Sequence, residues 1–431
     1  MLLILSILFW ASWAAIVYTY VLFPLILALC VRLAGAKNTA VDLTEEDLPH
    51  VTMVIAAYNE EQVIAAKLAN TWEIDYPAAR FKIIVGSDGS DDGTSGILKR
   101  CIDSRLRAFI FPDRRGKISV LNDLMRQVDS DIVVMSDANT MYAPDAIRKM
   151  VRHFQDPKVG CVSGKLQLEQ NGGVSGEGIY WKYEGWIKRN ESCLGFLIGC
   201  NGGIFATRPH LYEPLPPTTI VEDFVLSMRI IERGYLVRFE PDAHASEPPC
   251  STASAEMTRK VRIGAGGFQA LGLTRSLLHP RHGIRAFAYM GHKVIRWCVP
   301  FFITASLLTS AILAVQSSLY LALLALQGLG ALLSIIAYRV PAGVTLPRLI
   351  RPITYFYLMN YALFCGFFRY VFNTQKVTWD RAPQASPISS EWVSHGTAVS
   401  SRMSVLSSSA APAGVLNAAS RSVETKESLI D

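Results

Sequence analysis

Apolar residues crowd the two ends of this chain, and between them short apolar runs alternate with segments of helical spacing. Residues 2–31 carry no charge before Arg32. Such a run exceeds the roughly 20 residues that cross a bilayer and is short for two crossings. Pro24 lies inside it, so a single kinked or tilted span over 1–33 is expected. After an acidic linker, 38–50, the pattern becomes that of a covered sheet. Val51–Ala56, Phe81–Gly86, Arg107–Phe111 and Ile132–Met135 are brief runs of β-formers ending in turn residues, as buried parallel strands do. Helical spacing runs from Glu61 to about Trp72 and from Gly116 to Val128. The alternation predicts an α/β domain with a largely parallel sheet and right-handed crossovers.

From about Gly160 the alternation loosens. Residues 160–274 are rich in glycine and carry aromatic clusters such as Tyr180-Trp181-Lys182-Tyr183, and they read as the second half of one domain, 50–274. Residues 275–297 mix basic and aromatic side chains at near-helical spacing. That composition describes an interfacial amphipathic helix on a bilayer, or an ordinary surface helix. Further apolar stretches at 298–316, 318–338 and 353–372 predict a carboxyl-terminal transmembrane region over 298–372.

Arg32 and Lys37 put the segment after the first span in the cytoplasm, as do the three arginines between Arg339 and Pro352 for theirs. Four spans would leave the tail outside, whereas Arg369, Lys376 and Arg381 favour the inside. A re-entrant or interfacial stretch therefore stays open beside three full spans. The Ser- and Ala-rich tail, 384–431, is expected to be disordered. No internal repeat is visible.

Composition narrows the partners. The 431 residues are 50% hydrophobic with a formal charge of +6, and no basic tract is dense enough for nucleic acid. A modest positive charge suits anionic membrane lipids and an anionic ligand. Eight cysteines show no CxxC pair or metal spacing, which favours a reduced, cytoplasmic domain over a disulfide framework. The uncharged run before Arg32 is too long, and lacks the basic start, for a cleaved signal peptide.

Candidate chemistry collects at the ends of the predicted strands, where open α/β sheets bind ligands. Asn59 and Glu60 follow the first strand, Asp88 the second, and Asp137 with Asn139 the fourth. In a 3-2-1-4 order the first and fourth strands are neighbours, and a nucleotide would lie across Tyr58, Asp88 and Asp137. Two oxygen ligands at one strand tip can seat Mg²⁺ or Mn²⁺ carrying a diphosphate. The competing reading of Asp137 is a turn or cap residue. Lys117 sits at a helix start, where anions are favoured, and is otherwise a solvated lysine. No Gly-x-Gly-x-x-Gly or Walker loop is present, which disfavours a dinucleotide oxidoreductase or a P-loop NTPase. Asp223 precedes an apolar-periodic helix, 224–232, where a helix cap is the plain reading.

Seven motifs occur in order: VIAAYNEE (54–61), GSDGSDDGT (86–94), RGKISVLN (115–122), SDANT (136–140), CNGGIFATRP (200–209), VEDFVLSMRIIERGY (221–235) and RKVRIGAGGFQAL (259–271). Each is weak alone, but the ordered set resembles a membrane-bound family 2 glycosyltransferase of the cellulose, chitin and hyaluronan synthase-like group. The resemblance implies a GT-A fold, a Rossmann-like mixed sheet flanked by transmembrane helices. It implies a UDP-sugar donor, a glycan or lipid-linked acceptor and a Mg²⁺ or Mn²⁺ cofactor. Ala57, Tyr58, Glu60 and Asp88 resemble the nucleoside contacts, and Lys117 and Asn122 the segment lining the nucleotide. Asp137 and Asn139 stand at the Asp-x-Asp metal position, and Glu222-Asp223 resembles the catalytic Glu-Asp pair with Asp223 as base. Asn201, Gly202, Gly203 and Arg259 fall on the acceptor side, and Arg262 resembles the arginine facing the diphosphate.

The departures are specific. Ser87 replaces a common aspartate, Asn139 replaces the second metal carboxylate, and Val221 replaces a threonine. In the Gln-x-x-Arg-Trp segment of processive synthases, Arg259 stands for Gln and Ile263 for Trp, which removes an aromatic platform for a sugar ring. The leading expectation is an inverting glycosyltransferase that extends a polysaccharide. Transfer of one sugar to a lipid or polyprenyl-linked acceptor is the second, and a membrane scaffold with a degenerate site the third. A transporter is disfavoured because the membrane segments hold few charges.

Overall fold

A computed structural model of the chain describes residues 1–36, 40–168, 177–250, 252–340, 347, 350–376 and 415–417. Along the chain run α1 (Leu2–Val17), α2 (Phe23–Ala34), β1 (Val51–Ala57), α3 (Glu61–Trp72), β2 (Phe81–Asp88), α4 (Thr94–Arg100) and β3 (Leu106–Phe111). Next come α5 (Lys117–Met125), β4 (Ile132–Asp137), β5 (Met141–Tyr142), α6 (Ala146–Val151), β6 (Val159–Leu168), α7 (Glu177–Cys193) and β7 (Phe205–Thr207). The chain continues through α8 (Glu222–Glu232), β8 (Leu236–Glu247), α9 (Ala253–Leu273), α10 (Ile284–Tyr289), α11 (Ile295–Leu313), α12 (Ser318–Arg339) and α13 (Ile350–Val371). A short strand, β9 (Val415–Asn417), ends the described residues.

The strands form one mixed sheet in the order β5-β8-β6-β7-β4-β1-β2-β3-β9. Its β4-β1-β2-β3 half is parallel and carries the 3-2-1-4 order expected from the sequence. The loosely patterned half adds β6, β7 and β8, with β7 antiparallel to both β4 and β6. Both faces of β1 are buried, as a parallel sheet requires. Met53 and Ile55 face Ile64 and Leu68 of α3, while Val54 and Ala56 face Val120 and Leu124 of α5. Each of the Met, Ile, Leu and Val side chains, fully removed from water, contributes about 1.5–3 kcal/mol.

The core on the α5 side of the sheet extends to the long apolar helices, for Phe23, Leu27 and Tyr289 join Phe224 and Phe205 in it. Three described helices are long and apolar enough to cross a bilayer: Leu2–Ala34, Ile284–Leu313 and Ser318–Arg339. The first is continuous through a π-helical stretch, Tyr18–Leu22, which ends just before Pro24. This is where the missing proline N–H loosens the helix.

One expectation is corrected. The stretch 275–297 is not a separate amphipathic helix. It begins as two short 3-10 turns, Arg275–Leu278 and Pro280–His282, and from Ile284 runs unbroken into the second span. Three of its basic residues, His292, Lys293 and Arg296, pair with Glu184 and Glu191 of α7. The stretch 353–372 forms most of α13, a 22-residue helix. It lies along α9, with Gly366 against the backbone of Gly264 and Ala265. The tail expected from 384 lies outside the described residues apart from β9, which pairs in parallel with β3.

Candidate active site

The cleft opens at the carboxyl ends of β1, β2 and β4. Asp137 ends β4, and its register partner on β1 is Ala56, so the Ala57-Tyr58 turn lies beside it. Gly116 takes a φ of +91°, a conformation that favours glycine, and turns the chain into α5 so that Lys117 starts the helix. Lys117 Nζ donates to Asp137 Oδ1 at 2.6 Å and also pairs with Glu222. Burial opposes the charge on Lys117, but Asp137 and Glu222 more than offset it and hold the ammonium well above the ordinary lysine range. Asp137 is likewise opposed by burial yet held below the ordinary carboxylate range by Lys117.

Asp223 lies in the first turn of α8, where Val221 is the N-cap residue, so Asp223 is not the helix cap. Its carboxyl is pushed up to about 7, first by burial and then by neighbouring Glu222. A carboxylate titrating near neutrality is poised to accept a proton from a hydroxyl. Gly202 closes in on it, since a Cβ at that position would sit 3.2 Å from Asp223 Oδ2. Gly203 is walled by Glu247 and Thr140, each 2.6 Å from where its Cβ would be. Asn201 is held by Lys188 Nζ at 2.5 Å and donates to the Gly164 carbonyl at 2.6 Å. The Asn201–Gly203 turn and Asp223 thus share one wall of the cleft.

On the nucleoside side, the Arg114 guanidinium stacks 3.8 Å from the centre of the Tyr58 ring. Asn59, at φ +54°, ties the first loop to the second by donating to Asp91 Oδ1 at 2.6 Å. Glu60 caps α3, and its N–H donates to Thr94 Oγ1 at 2.8 Å. Arg262, on α9, donates to the Ile220 carbonyl at 3.3 Å; burial lowers its pKa, while Glu222, Asp137 and Asp223 oppose that shift.

A divalent cation fits this chemistry. Among the described residues no group of three or more His, Cys, Asp or Glu side chains could cage a metal. Asp137 nevertheless keeps 28% of its side chain accessible at the strand tip, with Asn139 two residues on. Burial and the charge of Asp137 also push the Glu247 carboxyl up. Mg²⁺ takes only one or two protein ligands and completes its shell with phosphates and water.

Family models decide the relationship. One described as Glycosyl transferase family 2 matches residues 52–210, and one described as Glycosyl transferase family group 2 matches 132–346. The chain belongs to the family 2 glycosyltransferases. It is 28% identical over 244 residues to a poly-beta-1,6-N-acetyl-D-glucosamine synthase of Staphylococcus aureus. The same-named protein of Staphylococcus epidermidis is 25% identical over 245 residues. Each match covers 54% of this chain and 58% of the relative. A mannosyltransferase from Pyrobaculum calidifontis, solved with GDP-Man and Mn²⁺, superposes with a TM-score of 0.68 at 21% identity. That superposition covers 86% of this chain and all of the other, and it establishes the GT-A fold.

Within this glycosyltransferase three of the residues singled out by the resemblance are held by neighbouring protein groups. Asp88 is buried, and its two carboxylate oxygens accept from the backbone N–H groups of Arg115 and Gly116 at 2.7 and 2.8 Å. It shapes the loop that presents Arg114 and Lys117. The Asn122 amide is taken up by Tyr212 OH, Leu215 N and the Leu215 carbonyl. Arg259 is paired with Glu256 one turn back on α9, and Glu247 also acts electrostatically on it.

Other site residues of the glycosyltransferase had not been read from the sequence. Lys67 is fully buried and donates to Ser136 Oγ at 2.8 Å and to the Thr140 carbonyl at 2.5 Å, bracing the Asp137 loop from behind. Burial lowers its pKa to about 7, against the pull of Asp137 and Glu247. Thr140 in turn donates to Glu247 Oε1 at 2.5 Å. The signal for Lys67 was legible: it falls on the apolar stripe Val63-Ile64-Lys67-Leu68, where a lysine needs a partner. Glu247 lies far along the chain in the weakly patterned half and offered none.

Proposed function

We propose that the protein is a membrane-embedded inverting glycosyltransferase that moves a sugar from a UDP-sugar to a growing polysaccharide. The observation that carries this reading is Asp223, a carboxyl raised to about 7 beside the Asn201–Gly203 turn. Lys117 and Asp137 stand at the same cleft, and the Asp223–Glu222 pair meets Lys117 through Glu222. The acceptor hydroxyl gives its proton to the Asp223 carboxylate as its oxygen attacks the anomeric carbon. The bond from that carbon to the diphosphate breaks, and UDP leaves with the electron pair from the opposite face.

Asp137 and Asn139 would hold a Mg²⁺ or Mn²⁺ ion, which when bound supplies neutralisation of the diphosphate charge. Lys117 and Arg262 add fixed cations on that side. Tyr58 with Arg114 bounds the nucleoside pocket, together with Ala57 and Glu60. Arg32 and Arg339, at the ends of the first and third spans, favour a cytoplasmic catalytic domain. The curated relatives carry the name poly-beta-1,6-N-acetyl-D-glucosamine synthase, so UDP-N-acetylglucosamine is the first donor to try.

The test is a panel of UDP-glucose, UDP-N-acetylglucosamine, UDP-galactose and UDP-glucuronate offered to purified membranes with Mg²⁺ or Mn²⁺. One donor should release UDP in a metal-dependent way and yield a polymer ladder. Silence with every donor would end the reading.

A second reading, addition of one sugar to a lipid-linked acceptor, has one observation in its favour. Ile263, at the position of the processive tryptophan, is 49% exposed on α9 and offers no ring. A single glycolipid product in the same assay would select it.

A further inference from the structure

An ion network that the catalytic reading does not use lies where the catalytic domain meets the second span helix. His292 is fully buried, with Nδ1 2.5 Å from Glu191 Oε1 and Nε2 3.0 Å from Glu184 Oε1. Glu184 also takes Lys293 Nζ at 3.2 Å and Arg296 Nη1 at 2.9 Å. Desolvation offsets much of the attraction in such a network, so stability alone is a poor reason for its presence.

Glu191 leads from the network to the cleft. Its other oxygen, Oε2, accepts from the backbone N–H of Ile198 at 3.1 Å. Ile198 opens the turn that runs through Gly199 and Cys200 to Asn201, Gly202 and Gly203. Gly199 adopts φ +90°, and a Cβ there would meet the Phe224 ring at 2.7 Å, so Phe224 seats directly on the turn. Phe224 follows Asp223, and Gly202 of the same turn approaches Asp223 Oδ2. One helical turn before Glu191 along α7, Lys188 holds Asn201.

We propose that His292 and Glu191 are positioning residues for acceptor deprotonation, with the span helix holding, through the Ile198 N–H, the turn on which Asp223 and Phe224 are seated. This inference rests on the reading of Asp223 as the base. It makes the orientation of the base depend on the membrane helix, so that chemistry is set at the lipid junction and donor binding is not.

The experiment uses the full chain in purified membranes, comparing wild type with His292→Gln, Glu191→Gln and the double variant. Transfer kinetics and UDP affinity are read separately. Each single variant should lower kcat about tenfold, as small displacements of a reacting group do. UDP affinity and donor KM should stay within about two-fold. The double variant should lose no more than the larger single loss, because the two side chains act in series.

Wild-type kcat in either single variant, a loss that appears in UDP affinity, or additive losses in the double would overturn the assignment. Glutamine is close in size to both side chains, and either single variant decides the matter if the other fails to accumulate. A wild-type protein that transfers no sugar overturns the underlying reading before any variant is compared.

Discussion

Lys117 Nζ sits 2.6 Å from Asp137 Oδ1 and at the same time pairs with Glu222, so one ammonium joins the tip of β4 to the first turn of α8. Removing it leaves Asp137 and Glu222 without their shared cation and strips a fixed charge from the diphosphate side. Lys117→Met should therefore lower the rate of UDP release by about 10²–10³, the scale of losing one preorganised electrostatic group. Steady-state UDP release from membranes checks this, and a rate within a few-fold of wild type would remove Lys117 from the mechanism.

The pH dependence follows from Asp223. With its carboxyl at about 7, activity should rise with pH through neutrality as the base ionises. The stability effect has the opposite sign. Folding raises this pKa from 3.8, so between those values the folded protein keeps a proton that the unfolded chain has released, and stability falls as pH rises through that window. Asp223→Asn should accordingly raise the thermal midpoint at pH 8 and leave it nearly unchanged at pH 4. Thermal unfolding in detergent at the two values decides it.

Metal dependence is best probed at Asn139. An amide there gives the cation one charge less than a carboxylate would. Asn139→Asp should lower the Mn²⁺ concentration for half-maximal UDP release, by about tenfold on the scale over which ligand charge tunes affinity. An unchanged metal titration would mean that Asp137 alone holds the ion. Chelation of divalent cations should abolish release in both proteins.

The α9–α13 contact is a packing prediction. A Cβ on Gly366 would lie 2.6 Å from the Ala265 nitrogen and 2.8 Å from the Gly264 carbonyl carbon, both backbone atoms that cannot swing aside. Gly366→Ala should force the helices apart and cost about 1–3 kcal/mol. A lower thermal midpoint, with UDP affinity retained, is the expected result.

The parallel half of the sheet was legible because its strands are buried on both faces and read as unbroken apolar runs, such as Val51–Ala56 and Ile132–Met135. The β6–β8 half was not, since its burial alternates along β8 and glycines interrupt β6. Asp137, Lys117 and Asp223 could be placed from strand ends and motif order. The partners of Asn122 could not, because Tyr212 and Leu215 lie on a loop whose path no spacing encodes, whereas the Arg259–Glu256 pair follows from i,i+3 spacing on a helix. The basic stretch ending at Trp297 misled for a related reason. Its charges look like headgroup ligands until α7 brings Glu184 and Glu191 against them.

The central claim, that Asp223 takes the acceptor proton, is tested most directly by Asp223→Asn in purified membranes supplied with the active UDP-sugar and metal. The variant should bind UDP with wild-type affinity and transfer sugar about 10²–10⁴ times more slowly, the contribution of a positioned general base. Transfer at the wild-type rate with UDP binding intact would contradict the account.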